Sequence, residues 1–283
     1  MPITTPYQFS FNSQAFGGQG SAFQILSVDG LEGLPVIRNQ DDNRGYADGM
    51  FTGQDFLGAR TISITMQVLA SGATSAQTNF NTLQAALLPS VTGTTPLYFY
   101  LPPAAGEQFI QARVRGLRTT VDPNYTYGLI TCQVEFYCPI PLIYDSTLQT
   151  ASMTLGGALG RVYPRVYPLV YLSGSAPFTS VLNSGWATTY PTITFNGPIT
   201  NPVFGNYTQG QYMFFNYTFA DVETCVINLL DKTVTLDGSP ARNLLTATST
   251  WLTAPPGTSQ FYYYGTGTTG ATSATITWRN AYI

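Results

Sequence analysis

The sequence predicts a mainly β protein in two parts, and three observations predict it. Short runs that alternate apolar and polar residues, bounded by Gly, Pro, Asn and Asp, recur along all 283 residues. A helical period appears convincingly once, in the first half. Finally, the stretch "FYCPIPLIYD", residues 136–145, breaks a good strand with Pro139 and Pro141. Proline donates no ladder hydrogen bond, so two of them at alternate positions cannot sit inside a sheet.

Taken in order, "TISITMQVL" from Thr61 sets Ile62, Ile64, Met66 and Val68 against hydroxyls and an amide, the pattern of a strand with one buried face. The helix is "TSAQTNFNTLQAALLP", with Phe80, Leu83 and Leu87 on one face, Thr74 or Ser75 to cap its start and Pro89 to stop it. "LITCQVEFY" from Leu129 reads as a second half-buried strand. One helix on a sheet makes an α+β first domain, which the proline pair closes. The segment "GGALGRVYPRVYPLVYLSG" repeats "RVYP" over residues 161–168, placing Pro164 and Pro168, and reads as an extended connector. From Tyr190 onward "PTITFNG", "QYMFFNYTF", "CVINLL", "KTVTLDG", "QFYYYG" and "ATITWRNAYI" form short strands without a helix, which predicts a sandwich or jelly roll. The expected division is residues 1–145, a connector over 146–168, and residues 169–283. Pro139, Pro141, Pro164 and Pro168 mark the junction.

Composition narrows the function. Charged residues make up 9% of the chain, against about 25% in ordinary globular domains. The surface is therefore built from Thr, Ser, Asn, Gln, Gly and Tyr, which suits lasting contact with other subunits. A net charge of -3 and a single lysine, Lys232, leave no clustered cations to grip a phosphate backbone. In "ARVRGLR", Arg113 and Arg115 alternate with Val114 and share one exposed, solvated strand face. Cys132 and Cys138, on one strand, would lie about 20 Å apart, too far for a disulfide. With Cys225 they read as small buried hydrophobes. "MPITTPYQFS" does not resemble a secretory leader, and no apolar run approaches a membrane span, so neither secretion nor membrane insertion is expected.

Several motifs invite chemistry. "GTGTTG", residues 265–270, has the glycine spacing of a dinucleotide turn, but "ATSATITW" follows it where a helix N-terminus would be needed, so a hairpin loop is expected. "NYT" at Asn124, Asn206 and Asn216 is formally a glycosylation acceptor without a leader to accompany it. The chain has no histidine, which removes the usual nucleophile triads and histidine metal sites. Neither an enzyme nor a cofactor is expected. Asp41, Asp42, Asp48 and Asp55 lie close together near Arg44, without the loop signature of a calcium site. Trp251, Tyr262, Tyr263, Tyr264 and Trp278 are the aromatics a sugar-stacking sandwich would use, although alternation turns Tyr263 away from Tyr262 and Tyr264.

The stretch "QDDNRGYADGMFTGQDFLG", Gln40 to Gly58, shows no periodicity. Loops beyond roughly 12 to 15 residues in a compact domain usually have a task. Here Tyr46, Met50, Phe51 and Phe56 supply apolar anchors beside Asp41, Asp42 and Arg44, so the expected task is contact between subunits or to an adjoining ring.

The order of these features resembles the distal tail proteins of long, non-contractile-tailed phages, also called minor tail proteins. In the first half the resemblance rests on "VDGLEGLPVIRNQDDNRGYADGMF", "ARTISITMQV", the single helix, "LYFYLP", "ARVRGL" and "VEFYCPIPLIYD". In the second it rests on "VLNSGWATTYPTITFNGPITNPVFGN", "VINLLDKTVTLDG", "STWLTAPPG" and "ATITWRNAYI". The resemblance implies a tail-tube-like β-sandwich or split barrel with one flanking helix, joined in a homo-hexameric ring, and a galectin-like sandwich outside it. It also implies a place at the virion tail tip after assembly in the bacterial cytoplasm. There the ring would lie between the tail tube protein and the tip or tail-associated protein, with a channel for the tape-measure protein and DNA. The alternative is a receptor- or carbohydrate-binding tail module acting through the second domain. The histidine-containing sugar motif of galectins is missing from it.

Overall fold

The computed structural model describes residues 3, 5–89, 93–102, 104, 106–120, 122–156 and 178–283. Contacts divide the chain into two units, one ending at Ser146 and the other running from Thr147 to Tyr282.

The first unit opens with β1 (Gln8–Phe11), β2 (Gln14–Gly17) and β3 (Phe23–Asp29). Four short strands follow: β4 (Ile37–Arg38), β5 (Asp42–Asn43), β6 (Met50–Phe51) and β7 (Phe56–Leu57). Then come β8 (Arg60–Leu69), α1 (Ala73–Ala86), β9 (Thr95–Tyr100), β10 (Gln108–Thr120), β11 (Leu129–Cys138) and β12 (Ile143–Asp145). The larger strands run antiparallel in the order β2-β1-β9-β10-β11-β8-β3, and β12 also pairs with β10.

Alternation decides which faces are buried. Ile62, Ile64, Met66 and Val68 on β8 are wholly buried, as are Ile130, Cys132, Val134, Phe136 and Cys138 on β11, with Ile64 opposite Val134. Phe9, Phe16 and Phe99 stack at 5.8 to 6.0 Å within the same unit. Strand β10 serves two ladders: Gln108 to Ala112 pair with β9, and Arg113 to Thr120 pair with β11. The register slips between Val114 and Gly116, leaving Arg115 as the extra residue. A bulged strand that changes partners is how a sandwich turns a corner. Beyond the bulge Leu117 lies opposite the buried Val134, so Arg118 rather than Leu117 joins Arg113 on the outer face.

On α1, Ala76, Phe80 and Leu83 are buried, and so is Leu87 at its end, as the helical period predicts. Burying each large apolar side chain contributes roughly 1.5–3 kcal/mol. Its start differs from expectation. The Ala76 amide bonds to the Gly72 carbonyl at 3.0 Å, which makes Gly72 the N-cap, and glycine has no side chain with which to cap the helix. Thr74 is therefore inside the first turn, where its carbonyl accepts from the Thr78 hydroxyl at 3.0 Å.

Strand β11 ends at Cys138, immediately before Pro139. The chain does not leave the unit there, since β12, just after Pro141, returns to pair with β10. Pro164 and Pro168, with both copies of "RVYP", lie outside the described residues. Part of the segment expected as connector is instead strand. Residues Gln149–Met153 (β13) pair with Ser273–Trp278, and Leu155–Gly156 (β14) pair with Tyr263 and Tyr264. Partners more than 100 residues away along the chain leave no mark in local composition.

The second unit continues with β15 (Thr179–Asn183), β16 (Thr192–Asn196), β17 (Ile199–Asn206), β18 (Gln211–Phe214) and β19 (Thr218–Phe219). Then come β20 (Thr224–Asn228), β21 (Thr233–Leu236), β22 (Ser239–Pro240), β23 (Gly257–Thr266), β24 (Ser273–Trp278) and the short β25 (Ala281–Tyr282). One sheet has the order β13-β24-β16-β20-β21-β22; the other has β14-β23-β17-β18, with β15 on β23 and β19 on β17. Their inner faces meet where Phe195 of β16 packs on Phe204 of β17 at 4.8 Å, while Phe204 stacks on its neighbour Tyr263 within one sheet at 5.5 Å, giving the expected sandwich. "GTGTTG" is not a hairpin loop. It joins β23 to β24, which belong to opposite sheets, and the Thr272 hydroxyl fixes it by donating to the Pro198 carbonyl at 2.6 Å.

Candidate functional site

The segment expected to mediate contacts is a β-arm rather than an unstructured loop. Ile37 pairs with Leu57 and Arg38 with Phe56; farther out, Asp42 pairs with Phe51 and Asn43 with Met50. Two residues per ladder are too few to print an alternating pattern in the sequence. Between the ladders the arm is held by side-chain and glycine geometry. The Asp41 carboxylate accepts from the Gly53 amide at 2.9 Å and from the Asn39 amide at 3.1 Å. A Cβ on Gly53 would lie 1.9 Å from the Gln40 carbonyl oxygen, so the two halves approach this closely only with glycine there. The arm base is closed by the Gly58 amide donating to Val36 at 2.6 Å. Gly49, at φ +95°, forms the tip turn.

The arm exposes what a core would bury. Tyr46 is 108% exposed, Phe51 60% and Met50 50%, and Phe56 is also open. Asp42 and Asp48 flank them in solvent, while the Arg44 guanidinium lies 5.0 Å from the Phe51 ring centre. Monomeric soluble proteins rarely leave contiguous apolar surface of this kind uncovered. Sequence reasoning missed Leu34, Val36 and Ile37 at the arm base, all exposed, although "LPVIR" spells them out. It also missed Arg60. This side chain is buried and donates to the carbonyls of Gly30 at 3.2 Å, Gly33 at 3.1 Å and Leu31, tying β8 to the segment that leads into the arm. Burial pulls its pKa below the usual guanidinium value.

Among the described residues no group of three or more His, Cys, Asp or Glu is placed to hold a metal ion, the Asp41 to Asp55 region included. No helix among them is long and apolar enough to cross a membrane. The three cysteines are free and buried. Burial pushes the Cys132 thiol up to about 11 and those of Cys138 and Cys225 up to about 12.

In the second unit the named aromatics separate. Tyr263 and Trp278 are core, and Trp251 is half-buried under the Arg242 guanidinium at 5.4 Å. Tyr262 and Tyr264 face outward in a row with Tyr212 and Phe214, adjacent rings lying 6.2 to 6.3 Å apart. Phe178 joins Tyr207 to Tyr262 at 5.1 and 5.8 Å. Asn206 is fully buried with its amide on the Thr253 carbonyl at 2.7 Å, which leaves it closed to glycosylation.

Residues 184–282 match the family model described as the siphovirus-type tail component, C-terminal domain. The SPP1 Dit (gp 19.1) protein, described as a paradigm of the hub adsorption apparatus in phages infecting Gram-positive bacteria, has a similar structure. The TM-score is 0.67 at 17% identity, over 98% of this chain and 99% of that one. Chains of the phage P2 baseplate in its activated conformation, with Ca or with Sr, align at TM-scores of 0.49 and 0.47 and identities of 8% and 9%. Each alignment covers 95% of this chain and 97% of the other. No curated protein matches. The resemblance read from the residues is thus met twice: residues 184–282 match the model for the C-terminal domain of siphovirus-type tail components, and the chain along nearly its whole length has a fold similar to that of SPP1 Dit.

Proposed function

We propose that this chain is a structural protein of the virion, a distal tail protein that forms a homo-hexameric ring at the tail tip. The ring joins the tail tube protein to the tip or tail-associated protein and leaves a channel for the tape-measure protein and DNA. The observation that carries this reading is the tail-component match of residues 184–282 in a chain that folds throughout like SPP1 Dit. The uncovered arm supports it, because Tyr46, Met50 and Phe51 need a neighbour to remove them from water. The arm contacts the adjoining subunit or the adjoining ring. An acidic chain, at pI 4.8, suits a channel through which DNA must slide without sticking. Antibodies against the chain, gold-labelled on intact virions, are expected to mark the distal end of the tail; label on the capsid or none on the particle would overturn the reading.

A second reading, a carbohydrate- or receptor-binding module, is favoured by one observation. The row of Phe178, Tyr207, Tyr262, Tyr212 and Tyr264 on the outer face of the second unit offers flat rings to a sugar. Titration with host cell-wall fragments discriminates it, since a purely structural ring binds none.

A further inference from the structure

Two adjoining depressions, of about 150 and 450 Å³, share Leu88, Pro89, Val114 and Arg115 as lining. They form a groove between the C-terminal end of α1 and the bulged part of β10. Its apolar lining includes Leu88, 65% exposed although next to the buried Leu87, and the half-buried Val114 and Leu117. Arg113 and Arg115 line it too, and Arg118 is exposed farther along the same strand. These are three of only 11 cationic residues in the chain. Arg115 rests on the Tyr137 ring at 4.8 Å, and Glu135 lies on the same outer face opposite Gly116. Among the described residues none of the three arginines is held in an ion pair.

The arm is the chemical counterpart of this groove. Between Ile37 and Leu57 it carries Asp41, Asp42, Asp48 and Asp55 against Arg38 and Arg44, and it presents Tyr46, Met50 and Phe51 bare. An apolar, acidic projection and an apolar, basic groove thus occur on one chain. Tyr46 is fully exposed, so the arm does not cover its own groove.

We propose that the arm of one copy seats in the α1/β10 groove of a second copy of this chain. The proposal rests on the ring reading above and names the acceptor surface that reading leaves open. Tyr46, Met50 and Phe51 cover Leu88, Val114 and Leu117, while Asp42 and Asp48 meet Arg113 and Arg115. Donor and acceptor are different patches, so a copy whose groove is filled still has its arm to offer to a third copy. Such a heterologous contact propagates head to tail and closes into a ring when its rotation permits. Burying the rings supplies attraction; the opposite charges fix which neighbour and which register. The competing arrangement is a reciprocal pair, each arm in the other copy's groove, and a native mass of two chains would reveal it and overturn the ring reading.

The test is the native mass of the full chain in four forms: wild type, a groove variant Arg113→Glu/Arg115→Glu, an arm variant Asp42→Arg/Asp48→Arg, and the variant carrying all four changes. Each two-site variant is expected to need at least ten times the wild-type concentration to assemble, and the four-site variant to regain it. An equimolar mixture of the groove and arm variants should form alternating rings, because each supplies what the other's altered patch fits. Circular dichroism checks that each remains folded, and Arg113→Gln/Arg115→Gln, a milder change, replaces the groove variant if it does not. A wild-type ring with an equally stable groove-variant ring overturns this proposal alone. So does loss of assembly in both variants without rescue in the mixture or the four-site form, whereas a groove that holds a different tail protein would leave the groove-variant ring intact. A wild type that stays monomeric at every concentration overturns the ring reading as well.

Discussion

At the scale of the residue, Arg60 is a buried polar side chain whose loss the structure makes costly. Its guanidinium satisfies the carbonyls of Gly30, Leu31 and Gly33, which no other described side chain reaches. Leaving a buried carbonyl without a donor costs about 1–3 kcal/mol; the bond to Leu31 is buried while those to Gly30 and Gly33 are part-buried and within reach of water, so Arg60→Met is expected to destabilise the chain by roughly 1–4 kcal/mol. Denaturant unfolding measures this, and an unchanged midpoint would contradict it. The cysteines give a pH dependence. Burial raises all three thiols from 9.0 to about 11 or 12. The folded state therefore keeps protons that the unfolded state releases, and stability is fully present below the unfolded value and falls as pH rises from about 9 through the folded values. At about pH 8 a thiol reagent should label the native chain slowly and all three cysteines quickly after unfolding, since the thiolate is the reactive form. Fast native labelling would contradict that burial. The burial of Cys132 was legible from alternation on its strand; the role of Arg60 was not, because its partners lie about 30 residues back in a segment without periodicity.

At the scale of the element, what was legible followed period and length. Strand β8 and helix α1 are long enough for Ile62 to Val68 and Phe80 to Leu87 to repeat on one face, and both appear where the pattern puts them. The arm is not legible as β structure, since each ladder has two residues and its stability comes from Asp41, Asn39 and Gly53 across the turn. The bulge at Arg115 was equally hidden, because it depends on which residues of β11 stand opposite. Nor could the crossing after Thr266 be told from a hairpin, for the same turn residues serve both. The arm carries the element's prediction. Replacing Asp41 to Phe56 by a short Gly/Ser linker should leave the circular-dichroism spectrum strongly β, because β4 to β7 pair only with one another. Ring formation, or docking onto the tube, should be lost. A shortened chain that still forms rings and joins tails would show that the arm is dispensable. Gly53→Ala is the subtler form: the Cβ meets a backbone oxygen, and the arm must shift to accept it.

At the scale of the whole molecule, the two sheets of the second unit could be counted from turn signals, but its first strands could not. β13 and β14 come from the stretch after Thr147 and pair with strands near the other end of the chain. A fragment from Thr147 to the end should therefore be folded, whereas one from Leu169 leaves the edges of β24 and β23 uncovered and should aggregate or melt earlier. Equal melting of the two fragments would contradict that assignment. The first unit carries both proposed contact surfaces, the arm and the α1/β10 groove, so a fragment ending at Ser146 should still form rings and the Thr147 fragment should not. The central claim is that the chain is a ring builder, and the native mass of the purified full-length protein at micromolar concentration tests it most directly. The account predicts a closed species of six chains of 30.7 kDa; monomers alone, or an open-ended series of filaments, would contradict it.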